Sequence, residues 1–97
     1  MSNIIFELVD KTGRKIILTK ERWAHIRQKH GLVENPEEIQ QTLTNPIKTF
    51  FIEEKNKAYF YKYFKHKKHK SKFLKVIVKY INNQGYVKSA YFTRSIK

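Results

Sequence analysis

A chain of 97 residues, 40% hydrophobic and 14% aromatic, has material for one core and not for two, so it reads as a single domain over residues 1–97 rather than as disorder. With no cysteine, it has no disulfide, thiol nucleophile or thiolate zinc site. The formal charge is +13, from 21 Lys and Arg against 8 Asp and Glu, a balance that attracts polyanions and points to nucleic acid as the ligand.

The charge is also one-sided along the chain. All carboxylates lie within the first 54 residues, while residues 55–97 carry 13 Lys and Arg and no acid. The opening MSNIIFELVD lacks the basic-then-apolar pattern of a secretory leader, and no apolar run reaches membrane-spanning length. The expectation is a soluble, cytoplasmic protein with no membrane partner.

Taken in order, "NIIFELVD" and "KIIL" flank "KTGR", a turn with Gly13, and predict a β-hairpin. Thr19 caps a helix that starts at Lys20, runs through "KERWAHIRQKH" and stops at Gly31. Asn35, Pro36 and Glu38 open a second helix, which Asn45-Pro46 ends near Thr44. From there the period becomes two. "IKTFFIE", "AYFYKYFKH", "FLKVIVKYI" and "YVKSAYFTRSI" are four strands, joined by "EKNK", by the basic tip "KKHKSK" and by "NNQG". The expected fold is α+β: an N-terminal β-hairpin and two helices packed on a four-stranded antiparallel sheet.

Residue chemistry narrows the site. His25 and His30 are five apart, about 140° around a helix, so they cannot share a metal, and their spacing differs from the H-x-x-x-H zinc pair. His25 shares a polar face with Glu21, Arg22 and Lys29. Cations there loosen an imidazole proton, which suits a general base, and Arg22 and Lys29 are phosphate-binding candidates. His30 falls on the apolar stripe beside Ile26 and Trp23. His66 and His69 have H-x-x-H spacing, but the lysines around them repel a metal cation. The tip, with Lys65, Lys67, Lys68 and Lys70, reads instead as a phosphate-contacting finger. In "AYFYKYFKH", Tyr59, Tyr61 and Tyr63 share one face and Phe60, Lys62 and Phe64 the other, and one of the two rows is core. Aromatic–lysine alternation is how single-stranded RNA is held, which nominates Tyr61, Lys62, Tyr63 and, on the next strand, Lys79. At the last strand, Tyr91 and Thr93 share a face, with Arg94 beside Phe92 on the other. They offer a stacking ring, a hydroxyl and a phosphate-binding guanidinium.

Together "LTKERWAHIRQKH", "PEEIQQTLTNP", four strands and a terminal "YFTR" resemble the phage-type barnase–EndoU–colicin–RelE-like (BECR) nucleases, from Leu18 to Ile96. Where many relatives carry Pro-Glu after the second histidine, this chain has Gly31-Leu32. The resemblance implies a metal-independent endoribonuclease without cofactor, often the toxin of a toxin–antitoxin or phage-related system, partnered by a small acidic antitoxin. It maps a catalytic histidine onto His25 or His30 and a hydroxyl–basic pair onto Thr93 and Arg94. The expected mechanism is attack of the RNA 2′-OH on its own phosphate, with His25 as base or acid and His30 as its partner or orienter. Arg94 and Thr93 hold phosphate oxygens, and Tyr91 stacks a base or assists proton transfer. The alternatives are a non-catalytic RNA-binding domain or degenerate nuclease, and a basic module docking an acidic protein. DNA hydrolysis fits less well. The paired carboxylates Glu37-Glu38 and Glu53-Glu54 read as helix-dipole and turn residues rather than Mg²⁺ ligands.

Overall fold

The first hairpin forms as the turn chemistry predicts. In the computed structural model, which describes residues 3–10, 12–29 and 32–96, strand β1 (Ile4–Val9) pairs antiparallel with β2 (Lys15–Thr19). Gly13 takes φ +87°, the left-handed region open to glycine. Asp10 organises the corner: its Oδ1 accepts from Thr12 N (2.8 Å), Thr12 Oγ1 (2.6 Å) and Arg14 N (3.1 Å). Tyr80 Oη, from a distant strand, donates to Oδ2 at 2.8 Å.

Helix α1 (Lys20–Lys29) begins directly after β2, and the amide of Arg22 donates to Thr19 Oγ1 at 3.1 Å, the expected cap. Its expected stop at Gly31 lies outside the described residues, as does His30. Helix α2 (Pro36–Thr44) starts at the predicted Asn35-Pro36, but the Asn35 side chain makes no capping hydrogen bond. Glu38 reaches back instead to the amide of Glu34, at 2.9 Å.

Four strands follow: β3 (Lys48–Ile52), β4 (Lys57–Tyr63), β5 (Phe73–Ile81) and β6 (Gln84–Thr93). Between β5 and β6 the turn is only Asn82-Asn83, at φ 52° and 66°, the two-residue geometry that suits strand twist. The remainder of "NNQG" belongs to β6.

The expected four-stranded antiparallel sheet with a separate hairpin is corrected here. The sheet has six strands, is mixed, and runs β1-β2-β6-β5-β4-β3. The hairpin is part of it, because β2 pairs in parallel with β6 through Lys15–Gln84, Ile16–Gly85 and Ile17–Tyr86. Gly85 permits that approach: a Cβ there would stand 2.9 Å from Ile16 Cγ1 and 3.1 Å from the Lys15 carbonyl. The α+β class stands.

Both helices bury their apolar residues against one face. Ile26 of α1 and Ile39 and Leu43 of α2 join Ile16, Leu18, Phe60, Leu74, Val76, Val78, Ala90 and Phe92 in a single core. These sheet residues alternate with Ile17, Tyr59, Tyr61, Lys75, Ile77, Tyr91 and Thr93, which therefore occupy the opposite face. No described helix is long and apolar enough to cross a membrane.

Candidate nucleic-acid interface

Strand register turns the alternation of the sequence into rows across the uncovered face. Lys48, Tyr61, Lys75 and Tyr91 stand side by side on β3, β4, β5 and β6, and Phe50, Tyr59, Ile77 and Ser89 form the adjacent row. Tyr61, expected as a nucleic-acid contact, is only 2% exposed, so it supports the row from beneath rather than offering its ring to a base. Lys75 sits at the middle. Its Nζ lies 4.3 Å from the ring centre of Tyr59, 5.7 Å from that of Tyr91 and 5.8 Å from that of Tyr61, distances at which an ammonium is attracted to an aromatic face. Phe50 stands edge-on to Tyr61 at 5.8 Å, and Lys48 lies 5.4 Å from the Phe50 ring. Tyr63 and Phe73 extend the aromatic surface at one end, 5.1 Å apart.

Thr93 lies beside this lysine. A small pocket of about 160 Å³ is lined by Tyr61, Lys75, Thr93 and Ser95. Thr93 Oγ1 donates to the Ser95 carbonyl at 2.6 Å, which bends the chain past the strand end and leaves the oxygen lone pairs of Thr93 as acceptors. Burial alone would push the Lys75 ammonium toward losing its proton. Hydrogen bonding and electrostatic attraction to Tyr91, then to Tyr61, outweigh it and hold the pKa above the ordinary 10.5. Lys75 is therefore a cation throughout the physiological range: suited to binding an anion, unsuited to taking a proton.

Other expected site residues fall in different places. His25 is half-buried on α1, and its side chain makes no hydrogen bond, ion pair or ring contact with a described residue. It lies about 60° around the helix from Arg22, on a helix that packs against β6, β2 and β1. Arg22 and Lys79 meet at a groove where β2 joins β6. Lys29 is exposed on α1, and Arg94 is exposed just beyond β6. Lys62 is off the aromatic face. It lies on the covered side between Phe60 and Phe64, and its Nζ donates to the carbonyl of Asn45 at the end of α2, at 3.4 Å.

The basic tip needs the largest correction. Lys65, Lys68 and Lys70 are exposed as expected, but Lys67 is only 6% exposed. Its ammonium pairs with Glu34 at 2.7 Å and with the buried carboxylate of Glu38, 5.2 Å from the Phe92 ring. Burial disfavours the Lys67 cation, yet hydrogen bonds to Glu34 and Glu38 more than compensate and raise its pKa. The hydrogen bond from Lys67 likewise lowers that of Glu34. His66 and His69 pack edge-on against Phe64 and Phe92, at 5.8 and 5.0 Å. The tip is thus a strap fastened to the start of α2, with Lys67 as a structural anchor rather than a phosphate contact.

Sequence reasoning passed over Lys75 and Tyr59. The signal was present, since Lys75 alternates with core residues on β5, but which residues flank it depends on strand pairing. A surface hollow of about 690 Å³ is lined by Phe51, Ile52, Glu53 and Glu54. Two carboxylates give it the wrong charge for a polyanion. Compared with protein-family models, curated proteins and solved structures, the chain matches none of them.

Proposed function

We propose that the chain binds single-stranded RNA across its open sheet face and cleaves it as a metal-independent endoribonuclease. The observation that carries this reading is Lys75, a cation set among three tyrosine rings on a face without helix cover, with the Thr93 hydroxyl beside it. Tyr59 and Tyr91, half-buried beside the buried Tyr61, are the rings a base can stack on with little regard to sequence. A fixed ammonium is the group a phosphate needs as charge builds on its oxygens.

In this mechanism the RNA 2′-OH attacks the adjacent phosphorus, forming a bond to it as the bond to the 5′ oxygen breaks. The products are a 2′,3′-cyclic phosphate and a free 5′-OH. Lys75 stabilises the non-bridging oxygens, Thr93 and Arg94 hold the flanking phosphate, and Tyr91 hydrogen-bonds at the reacting centre. A proton must pass from the 2′-OH to the departing 5′ oxygen, and the imidazole of His25 suits that transfer near neutral pH. His25 stands on α1, on the covered side of the sheet, so its part in the step rests on the sequence resemblance alone. The toxin role and an acidic antitoxin extend this reading. They are supported by the sequence resemblance and by a +13 chain whose face calls for an acidic cover.

A second reading is a non-catalytic RNA binder, favoured by the position of His25 on α1, which packs on the face of the sheet opposite Lys75. One experiment separates them: incubation in EDTA with a labelled DNA oligonucleotide containing a single ribonucleotide, beside the all-DNA control. Cleavage confined to the ribonucleotide, reduced by at least about a hundredfold in His25→Ala with binding retained, supports the nuclease. Salt-sensitive binding without cleavage, there and on a long natural RNA, supports the binder.

A further inference from the structure

Where β2 meets β6, the open face carries a second recess, distinct from the Lys75 pocket. Ile17, Tyr86 and Ile81 form its floor and Arg22, Lys79 and Lys88 its rim, around a groove of about 320 Å³. That volume lies within the range of small-molecule sites. Tyr86 is 37% and Ile81 54% exposed, an unusual position for large apolar groups at the centre of three cations. Lys79 Nζ donates to the Lys55 carbonyl at 2.7 Å, which holds that cation at the rim with two protons to spare. Arg22 is held there by the start of α1, its amide bonded to Thr19.

Because Lys79 follows Lys75 by four residues on one strand, the two sites lie on the same face, about 13 Å apart. Glu7, the neighbour of Ile17 on β1, is paired with Lys15 at 3.3 Å. An apolar floor with an aromatic ring, lined by three cations and by no acid, matches a base with its phosphates. It is a poor match for an apolar peptide, which has no use for three cations. We infer that this groove is a nucleotide subsite of the same bound RNA strand: the base lies on Tyr86, and Arg22 and Lys88 take the flanking phosphates. This inference rests on the RNA-binding reading above. It adds that the strand runs obliquely from β4 to β2 and is held at two points, so affinity depends on RNA long enough to span both.

The test is fluorescence anisotropy with the full chain and single-stranded RNAs of increasing length, each also made with one abasic position. The expected results are a step in affinity once the RNA spans both sites, and a loss of about 5- to 100-fold in Tyr86→Ala. Tyr86→Phe should keep the affinity, and circular dichroism should show both variants folded. The abasic RNA at the matching position should lose as much as Tyr86→Ala, with no further loss when the two are combined. Arg22→Ala and Lys88→Ala should each lower the salt slope by about one.

Unchanged affinity in Tyr86→Ala, with a clear loss in Lys75→Ala, would overturn the subsite and leave the RNA reading standing. Unchanged affinity in both variants would overturn the RNA reading itself. Binding of polyglutamate that depends on Tyr86, with RNA binding that does not, would assign the groove to an acidic protein instead.

Discussion

Lys67 is buried and Lys75 half-buried, and their surroundings differ in a respect that decides what each does. Lys67 lies against two carboxylates, Glu34 and Glu38, so its charge is spent inside the protein and ties the tip to α2. Lys75 lies among neutral phenols, which solvate the ammonium without neutralising it. A cation held by rings and hydroxyls still has its whole charge to offer an anion. In a chain with 21 basic residues, the environment of a lysine says more about function than its presence.

The comparison is open to direct attack. Lys67→Met should have the largest effect on stability, about 3 kcal/mol, because it leaves Glu38 buried without its counter-charge. Urea denaturation would read this, and a compensating Glu38→Leu should restore most of it. RNA affinity per folded molecule should hardly change. Lys75→Ala should do the reverse. Stability is expected to stay within about 1 kcal/mol, while cleavage falls about a hundredfold, as when one fixed donor to a developing oxyanion is removed. Equal damage to both properties in either variant would erase the distinction drawn between the two lysines.

The pH profile sharpens it. Glu34 has its pKa lowered from the ordinary 4.5 by Lys67. Its contribution to stability is therefore complete above 4.5 and lost as pH falls through the lowered folded value. Lys67 has its pKa raised from 10.5; its contribution is complete below 10.5 and lost as pH rises through the folded value. The urea midpoint should drop at both extremes, and Lys67→Met should flatten both limbs. The smallest effect is expected for Thr93→Val. Losing the hydrogen bond to Ser95 should cost about 1 kcal/mol or less of stability, with a few-fold loss of RNA affinity at the Lys75 pocket.

Much of this was legible in the residues. The period-two runs located β3 to β6, Pro36 located α2, and Thr19 located the start of α1, since each depends on neighbours in the chain. Tyr91 and Thr93 were correctly assigned to one face by alternation alone. What was not legible depended on partners far away. Lys67 and Lys68 look alike in "KHKKHKSK", and only the arrival of Glu34 and Glu38 makes one of them buried. The parallel pairing of β2 with β6 joins residues some seventy positions apart through a three-residue ladder, too short to leave a periodic trace. Gly85 was its one local mark, and beside Asn82-Asn83 it passed for part of the turn.

The sequence by itself determined that this is a basic α+β domain, with most of its elements and the sidedness of each strand, because propensity and alternation are local properties. Tertiary structure alone decided which strands are neighbours, and so which lysine meets carboxylates, which meets tyrosines, and where a cationic aromatic face is left open. Those outcomes depend on register and sheet order, which are set by packing one side of every strand against the same core.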